Sequence, residues 1–346
     1  MASSHILKHF PHYKLDGEKM KKRNIFIFVL LSLTLLFNVY YQNYHVALAD
    51  NVFYLGGMPA GFELETRGAS VVGLTDVLTD NGTISPSKNA DIRVGDIILS
   101  IETYEINNAN DVEKALSNSN EKLIILKRDG EILSKTIKPA KDIDGKYKLG
   151  VFIKNGINGI GTITYITNGK FASLGHPVYY KNEMAEIKGG KLYNCKITGY
   201  DKGEPQNPGQ LKGVFQKEQI IGEIISNKNC GVFGRLNTNY NYKKLKKIDL
   251  GEAKIGEASI FTTIDGNTPK EYVISIVKID YSDKRNKNFV IKINDNNLID
   301  QTGGIVQGMS GSPIVQDGKL VGAITHVFTN DSTRGFGISI QNMLSQ

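Results

Sequence analysis

The chain has 346 residues, 40% hydrophobic and 22% charged, which excludes a disordered chain and exceeds what one compact domain needs. Its formal charge of +7 is concentrated at one end. Residues 1–49 hold Lys8, Lys14, Lys19, Lys21, Lys22 and Arg23 against Asp16 and Glu18, which leaves only +3 on the rest. A nucleic-acid binder keeps its basic face on the folded part, so no nucleic-acid partner is expected.

Lys21-Lys22-Arg23 precedes an apolar run from Ile25 to Phe37, and Ala47-Leu48-Ala49 follows as a small-x-small site. Together they describe an export signal over residues 1–49. A full span needs about 20 apolar residues, which favours a cleaved signal over a permanent membrane anchor. The remainder is therefore expected outside the cytoplasmic membrane.

Residues 50–140 suggest a small, mainly β module. Short apolar stretches (Ser70–Leu74, Arg93–Ile101, Lys122–Leu126, Ile132–Ile137) alternate with turns such as Asp80-Asn81-Gly82 and Asp129-Gly130. Asn110–Ser117 reads as a short helix with Asn110 as N-cap. The segment from Ser85 to Ile98, with Val94-Gly95-Asp96 turning into a β-run, resembles the PDZ domains attached to bacterial proteases. That resemblance implies peptide binding by strand addition, with a glycine-rich loop receiving a terminal carboxylate. Gly56-Gly57-Met58-Pro59-Ala60-Gly61-Phe62 is the candidate loop, which makes Gly61 and Phe62 candidate binding residues.

Residues 141–148 are polar and read as a linker. From 149 to 346 helical periodicity is nearly absent, and Gly150–Ile153, Gly161–Ile166, Ala258–Thr263, Glu271–Ile279, Phe289–Ile293 and Lys319–Val327 read as strands. Many short strands imply a sandwich or barrels, and two small barrels fit the length. Asn239–Lys247, basic and tyrosine-rich, reads as a solvated loop. Cys195 and Cys230 allow one disulfide in an exported chain but do not require it. No metal-ligand spacing occurs, and no cofactor is expected.

The most specific local feature is Gln307-Gly308-Met309-Ser310-Gly311-Ser312-Pro313. Flanking glycines permit backbone angles that aim a serine hydroxyl outward and turn N–H groups, here those of Gly308 and Ser310, towards one oxyanion. The motif is similar to the Gly-Asp-Ser-Gly-Gly-Pro of chymotrypsin-like proteases, with Met309 in place of Asp. Ser310 matches the nucleophile, and Ser312 competes with it. Of six histidines, four (His5, His9, His12, His45) lie in the leader. His176, in Gly175-His176-Pro177, is the candidate base. His326, in an apolar strand after the serine loop, either lines the pocket for a substrate side chain or is packed.

The export leader, the PDZ-like module, Gly175-His176-Pro177 and the run Thr302–Ile314 together resemble the stage IV sporulation protein B peptidase family across nearly the whole chain. The resemblance implies a chymotrypsin-like double β-barrel, with Ser310 and His176 catalytic and Asp295 as the acid. Asp295 lies close to the serine in sequence, so Asp265, Asp280, Asp300 and a Ser–His dyad stay open. It also implies a forespore-exported peptidase that cleaves its own N-terminal region and then a membrane-bound regulator, releasing an intramembrane protease for sigma-factor maturation. A non-catalytic exported PDZ adaptor and an esterase are the alternatives.

Overall fold

The computed structural model describes residues 29–37, 51–180 and 183–345. Residues 29–37 form a helix with its leucines exposed, and the basic flank and Ala47–Ala49 lie outside the described residues. Among the described residues no helix is long and apolar enough to cross a membrane. Residues 52–346 form a separate unit, mainly β.

That unit is built on two closed rings of six strands. The first runs Lys170–Ser173, Gly231–Leu236, Gln210–Lys228, Ile187–Asp201, Pro59–Thr66 and Ile157–Thr167, and returns to Lys170–Ser173. The second runs Lys319–Phe328, Pro313–Gln316, Gly256–Thr262, Lys270–Ile279, Phe289–Ile293 and Asp331–Ser339, and closes on Lys319–Phe328. Strands Phe53–Leu55 and Lys247–Leu250 pair with each other and bridge the rings. Closure leaves no open sheet edge and puts alternate side chains inside. Phe171, Ile163 and Leu192 fill the first barrel, and Phe289, Ile274 and Ile314 the second. A third cluster around Phe53, Tyr165, Leu320 and Ile338 joins them. Each such side chain contributes roughly 1.5–3 kcal/mol by leaving water.

The expected domain boundaries need correction. Strands Pro59–Thr66 and Ile157–Thr167 are antiparallel neighbours in the first barrel, with Leu64 opposite Ile157 and Pro59 opposite Thr162. Everything between them is an insertion into a hairpin. It holds a sheet of Val151–Lys154, Ala69–Leu74, Ile97–Ile101, Lys122–Arg128 and Glu131–Ile137, with helices Pro86–Asn89 and Ala109–Ala115. The helix starts earlier than expected because Asn108, not Asn110, accepts the Asp111 N–H as N-cap. The 141–148 segment is no linker: Ala140–Lys141 and Tyr147–Lys148 pair inside the insertion. Composition marks where polarity changes, whereas the boundary is set by non-local pairing.

The Gly56–Phe62 loop is likewise not a carboxylate receptor. The N–H groups of Gly56 and Gly57 donate to the Thr164 and Ile163 carbonyls of the first barrel. Gly61 lies in a barrel strand where a Cβ would sit 2.6 Å from the Phe215 ring. The tyrosine-rich basic run packs rather than floats: Tyr242 meets Tyr54 edge-on, and Lys247 opens the bridging strand.

Candidate active site

The serine loop is held between the barrels. The Thr162 hydroxyl donates to the Gly308 carbonyl (2.9 Å), the Thr162 N–H to the Ser310 carbonyl (3.0 Å), and the Thr164 hydroxyl to the Gly311 carbonyl (2.7 Å). From the second barrel, Gly311 N–H donates to Ile324 O, and Ile324 N–H to Ser312 O. Gly308 (φ +99°) and Gly311 (φ +93°) adopt the left-handed backbone this path needs. At Gly311 a Cβ would lie 2.1 Å from the Thr162 oxygen. With these bonds in place, the N–H groups of Gly308 and Ser310 make no hydrogen bond to another described backbone or side-chain group. That is the arrangement an oxyanion site requires.

His176 is aimed by a strained turn. Gly175 N–H bonds the Ser173 carbonyl around Leu174, whose φ of +66° marks a γ-turn of the rare, strained kind. Asn227, to which the sequence assigned no role, clamps the following segment: its side chain bonds Val178 through both N–H and carbonyl and also holds the Ala185 carbonyl. His176 Nδ1 lies 2.8 Å from the Pro177 carbonyl. That nitrogen therefore carries the proton, and Nε2 keeps the lone pair a base needs. Burial holds the His176 pKa below the ordinary histidine value, so the ring is neutral at neutral pH.

Ser310 and His176 line one cleft of about 300 Å³ together with Gln307 and Gly308. Phe62, Leu64, Ile157, Ile160, Leu174 and Val178 make its apolar wall. Phe62 thus lines this cleft of the barrels and not a groove of the insertion. The Ser310 hydroxyl at present donates to the Thr325 carbonyl (2.8 Å). Ser312 is excluded as nucleophile: it is fully buried and its hydroxyl donates to Met309 O (2.6 Å).

The acid assignment needs correction. Asp295 is the N-cap of helix Asn296–Thr302, its carboxylate accepting from Leu298 N–H (3.0 Å) and more weakly from Val273 N–H (3.4 Å). The expected His176–Asp295 pairing is not formed, since Nδ1 faces a backbone carbonyl. His326 does not line the cleft. Its ring packs on His176, with centroids 4.8 Å apart and planes at 39°. Burial, then the neighbouring His176 and Lys287, lower its pKa to about 4. Cys195 and Cys230 are free, buried and in separate core clusters.

Two six-stranded barrels that meet at a serine loop and a histidine turn are the frame of a serine peptidase, and this chain is one. Residues 145–344 match the SpoIVB peptidase S55 family model, more than half of the sequence, and the chain belongs to that family. Among solved structures it is similar to the inactive form of the Rv3671c protease, at 13% identity and TM-score 0.34, covering 54% of this chain and 82% of that one. The Ser343Ala mutant of Rv3671c from M. tuberculosis H37Rv is similar at 12% identity and TM-score 0.31, covering 54% and 79%. No curated protein matches.

Proposed function

We propose that the protein is an endopeptidase in which Ser310 is the nucleophile, His176 the general base, and the Gly308 and Ser310 N–H groups the oxyanion site. The observation that carries this reading is the common cleft, lined by the half-buried Ser310, a neutral imidazole and the Gly308 and Ser310 backbone, whose N–H groups are unengaged. Rotation about the Ser310 Cα–Cβ bond turns the hydroxyl from Thr325 to His176 Nε2. As Oγ bonds to the scissile carbonyl carbon, its proton passes to Nε2, and the carbonyl oxygen takes negative charge opposite the two N–H groups. Collapse breaks the C–N bond while His176 returns the proton to the leaving amine, and water releases the acyl group by the same steps. The apolar wall suits substrates that present an aliphatic or aromatic side chain. Mass spectrometry of new termini formed by residues 50–346, wild type beside Ser310→Ala, tests this. Products from both proteins alike would refute it.

The insertion supports a peptide-binding role of the PDZ kind, at a different place from the one the sequence suggests. Strand Val151–Lys154 ends its sheet, paired only with Ala69–Leu74. A groove of about 440 Å³ lies between it and helix Ala109–Ala115, with Val112, Leu116, Val151 and Phe152 in its walls. An extended peptide adding to this edge places its terminal carboxylate at the turn Leu149-Gly150, where Gly150 has φ +73°. Anisotropy with peptides bearing a free or an amidated C-terminus tests it in the Ser310→Ala protein. Equal affinity for both forms, or none for either, would count against it. Were this groove the whole function, the chain would be an exported adaptor, and His176→Ala would keep full activity in cells. Within the family role, the peptidase is exported from the forespore, tethered at least transiently by its leader. It cleaves its own N-terminal region and then a membrane-bound regulator of sporulation signalling.

A further inference from the structure

Strand Lys319–Phe328 brings two groups to the site in succession. The Thr325 carbonyl takes the Ser310 hydroxyl, and the next side chain, His326, packs against His176. The histidine turn is pressed onto this strand: a Cβ at Gly175 would sit 2.9 Å from Thr325 Cγ2 and from Ile338 Cγ2. His326 Nδ1 is buried without a hydrogen-bond partner among the described residues. A residue serving only as filler would carry no such cost, since a leucine or phenylalanine fills the space without an unpaired polar atom. Among the described residues no carboxylate is hydrogen-bonded to His176, whose Nδ1 faces the Pro177 carbonyl, while Asp295 caps its own helix.

We propose that His326 is the positioning residue of this site. Its ring, with the Pro177 carbonyl, supplies the orientation that a carboxylate gives in other serine peptidases and keeps His176 Nε2 facing Ser310. The proposal rests on the peptidase reading above. When Ser310 passes its proton to His176, the resulting imidazolium has a neutral aromatic ring packed beside it, with centroids 4.8 Å apart, a favourable contact. Neutrality of His326 is enforced by its surroundings. Besides His176, the charge acting on it is Lys287, whose ammonium lies 4.6 Å from the centroid of Phe336, the cross-strand neighbour of His326.

Three variants of the 50–346 protein test the proposal on a cleaved peptide. His326→Ala is expected to lower kcat by about tenfold or more with KM within about twofold, because the contact matters once His176 is charged. His326→Phe, which keeps a ring face, is expected to recover most of the loss. Asp295→Asn, which still caps its helix, is expected to turn over like wild type. Wild-type kcat in His326→Ala, or a loss of about a thousandfold in Asp295→Asn, would overturn the assignment. Should the His326 variants fail to fold, ring-proton NOEs between His176 and His326 in folded Ser310→Ala protein decide it, and their absence overturns it. Failure of the peptidase reading looks different: wild type and Ser310→Ala process substrate alike while the ring NOEs persist.

Discussion

Thr162→Val is the sharpest probe of how the first barrel sets the chemistry of the second. Thr162 is 1% exposed, and its hydroxyl is the partner of the Gly308 carbonyl at 2.9 Å. Valine keeps the shape and removes the donor, leaving that carbonyl unpaired at a cost of about 1–3 kcal/mol. At roughly 2–4 °C of melting temperature per kcal/mol for a unit of this size, the midpoint should fall by about 5 °C. The catalytic effect should be separable. This hydroxyl fixes the peptide that joins Gly308 to Met309, and the Leu211 N–H fixes the adjoining one, which carries the Gly308 N–H, so loss of the first anchor loosens the loop that aims that N–H. Deleting an oxyanion donor outright costs about 100- to 1,000-fold in kcat, so misaligning one should cost about 10- to 100-fold with little change in KM. Thr162→Ser, which keeps the hydroxyl, should behave like wild type. Steady-state kinetics on a cleaved peptide and thermal melts are the assays. A Thr162→Val protein that melts lower yet keeps wild-type kcat would refute the link between this bond and the oxyanion site.

Gly311→Ala should be more severe, since its Cβ would collide with backbone at Thr162 and Leu174 in a left-handed conformation; melting and phosphonate labelling of Ser310 should both show the loss. Asp295→Ala should cost about 1 kcal/mol through the lost cap, measurable by urea unfolding, with kcat unchanged. Acid should destabilise the fold through His326. The unfolded chain takes up a proton as pH falls through 6.5 and the folded ring only near 4, so its contribution is complete above 6.5 and is lost on the way down to 4. His326→Phe should flatten that part of the profile in pH-dependent melts. Cys195 and Cys230, pushed up to about 11 and 12 by burial, should resist alkylation at neutral pH until the protein unfolds.

Strands such as Phe289–Ile293 and Lys319–Phe328 were legible because alternating or continuous apolar residues announce them. The longest hairpin, Ile187–Asp201 with Gln210–Lys228, was not. Its outer faces are rich in lysine, glutamine and glutamate, and its pairing carries register shifts that blur the period of two. Pro59–Thr66 was read with the wrong domain for a related reason, as its partners lie about a hundred residues downstream in Ile157–Thr167 and Ile187–Asp201.

Ser310 and His176, which the structure places in one cleft, stood out in the sequence because a nucleophile loop needs glycines at particular backbone angles, here Gly308 and Gly311, and because four of the six histidines lie in the leader. The third member was not readable. Whether a carboxylate reaches an imidazole depends on where a helix cap falls and which ring a neighbouring strand delivers, and spacing along the chain encodes neither. The sequence by itself determined the chemistry on offer: one serine between glycines, two histidines beyond the leader, and enough β-forming segments for two barrels. Tertiary structure decided which of those groups meet, because the bonds that orient them run from Thr162 and Thr164 in one barrel to Gly308, Ser310 and Gly311 in the other. Contacts across some 150 residues are selected by closure of the barrels, not by any local pattern.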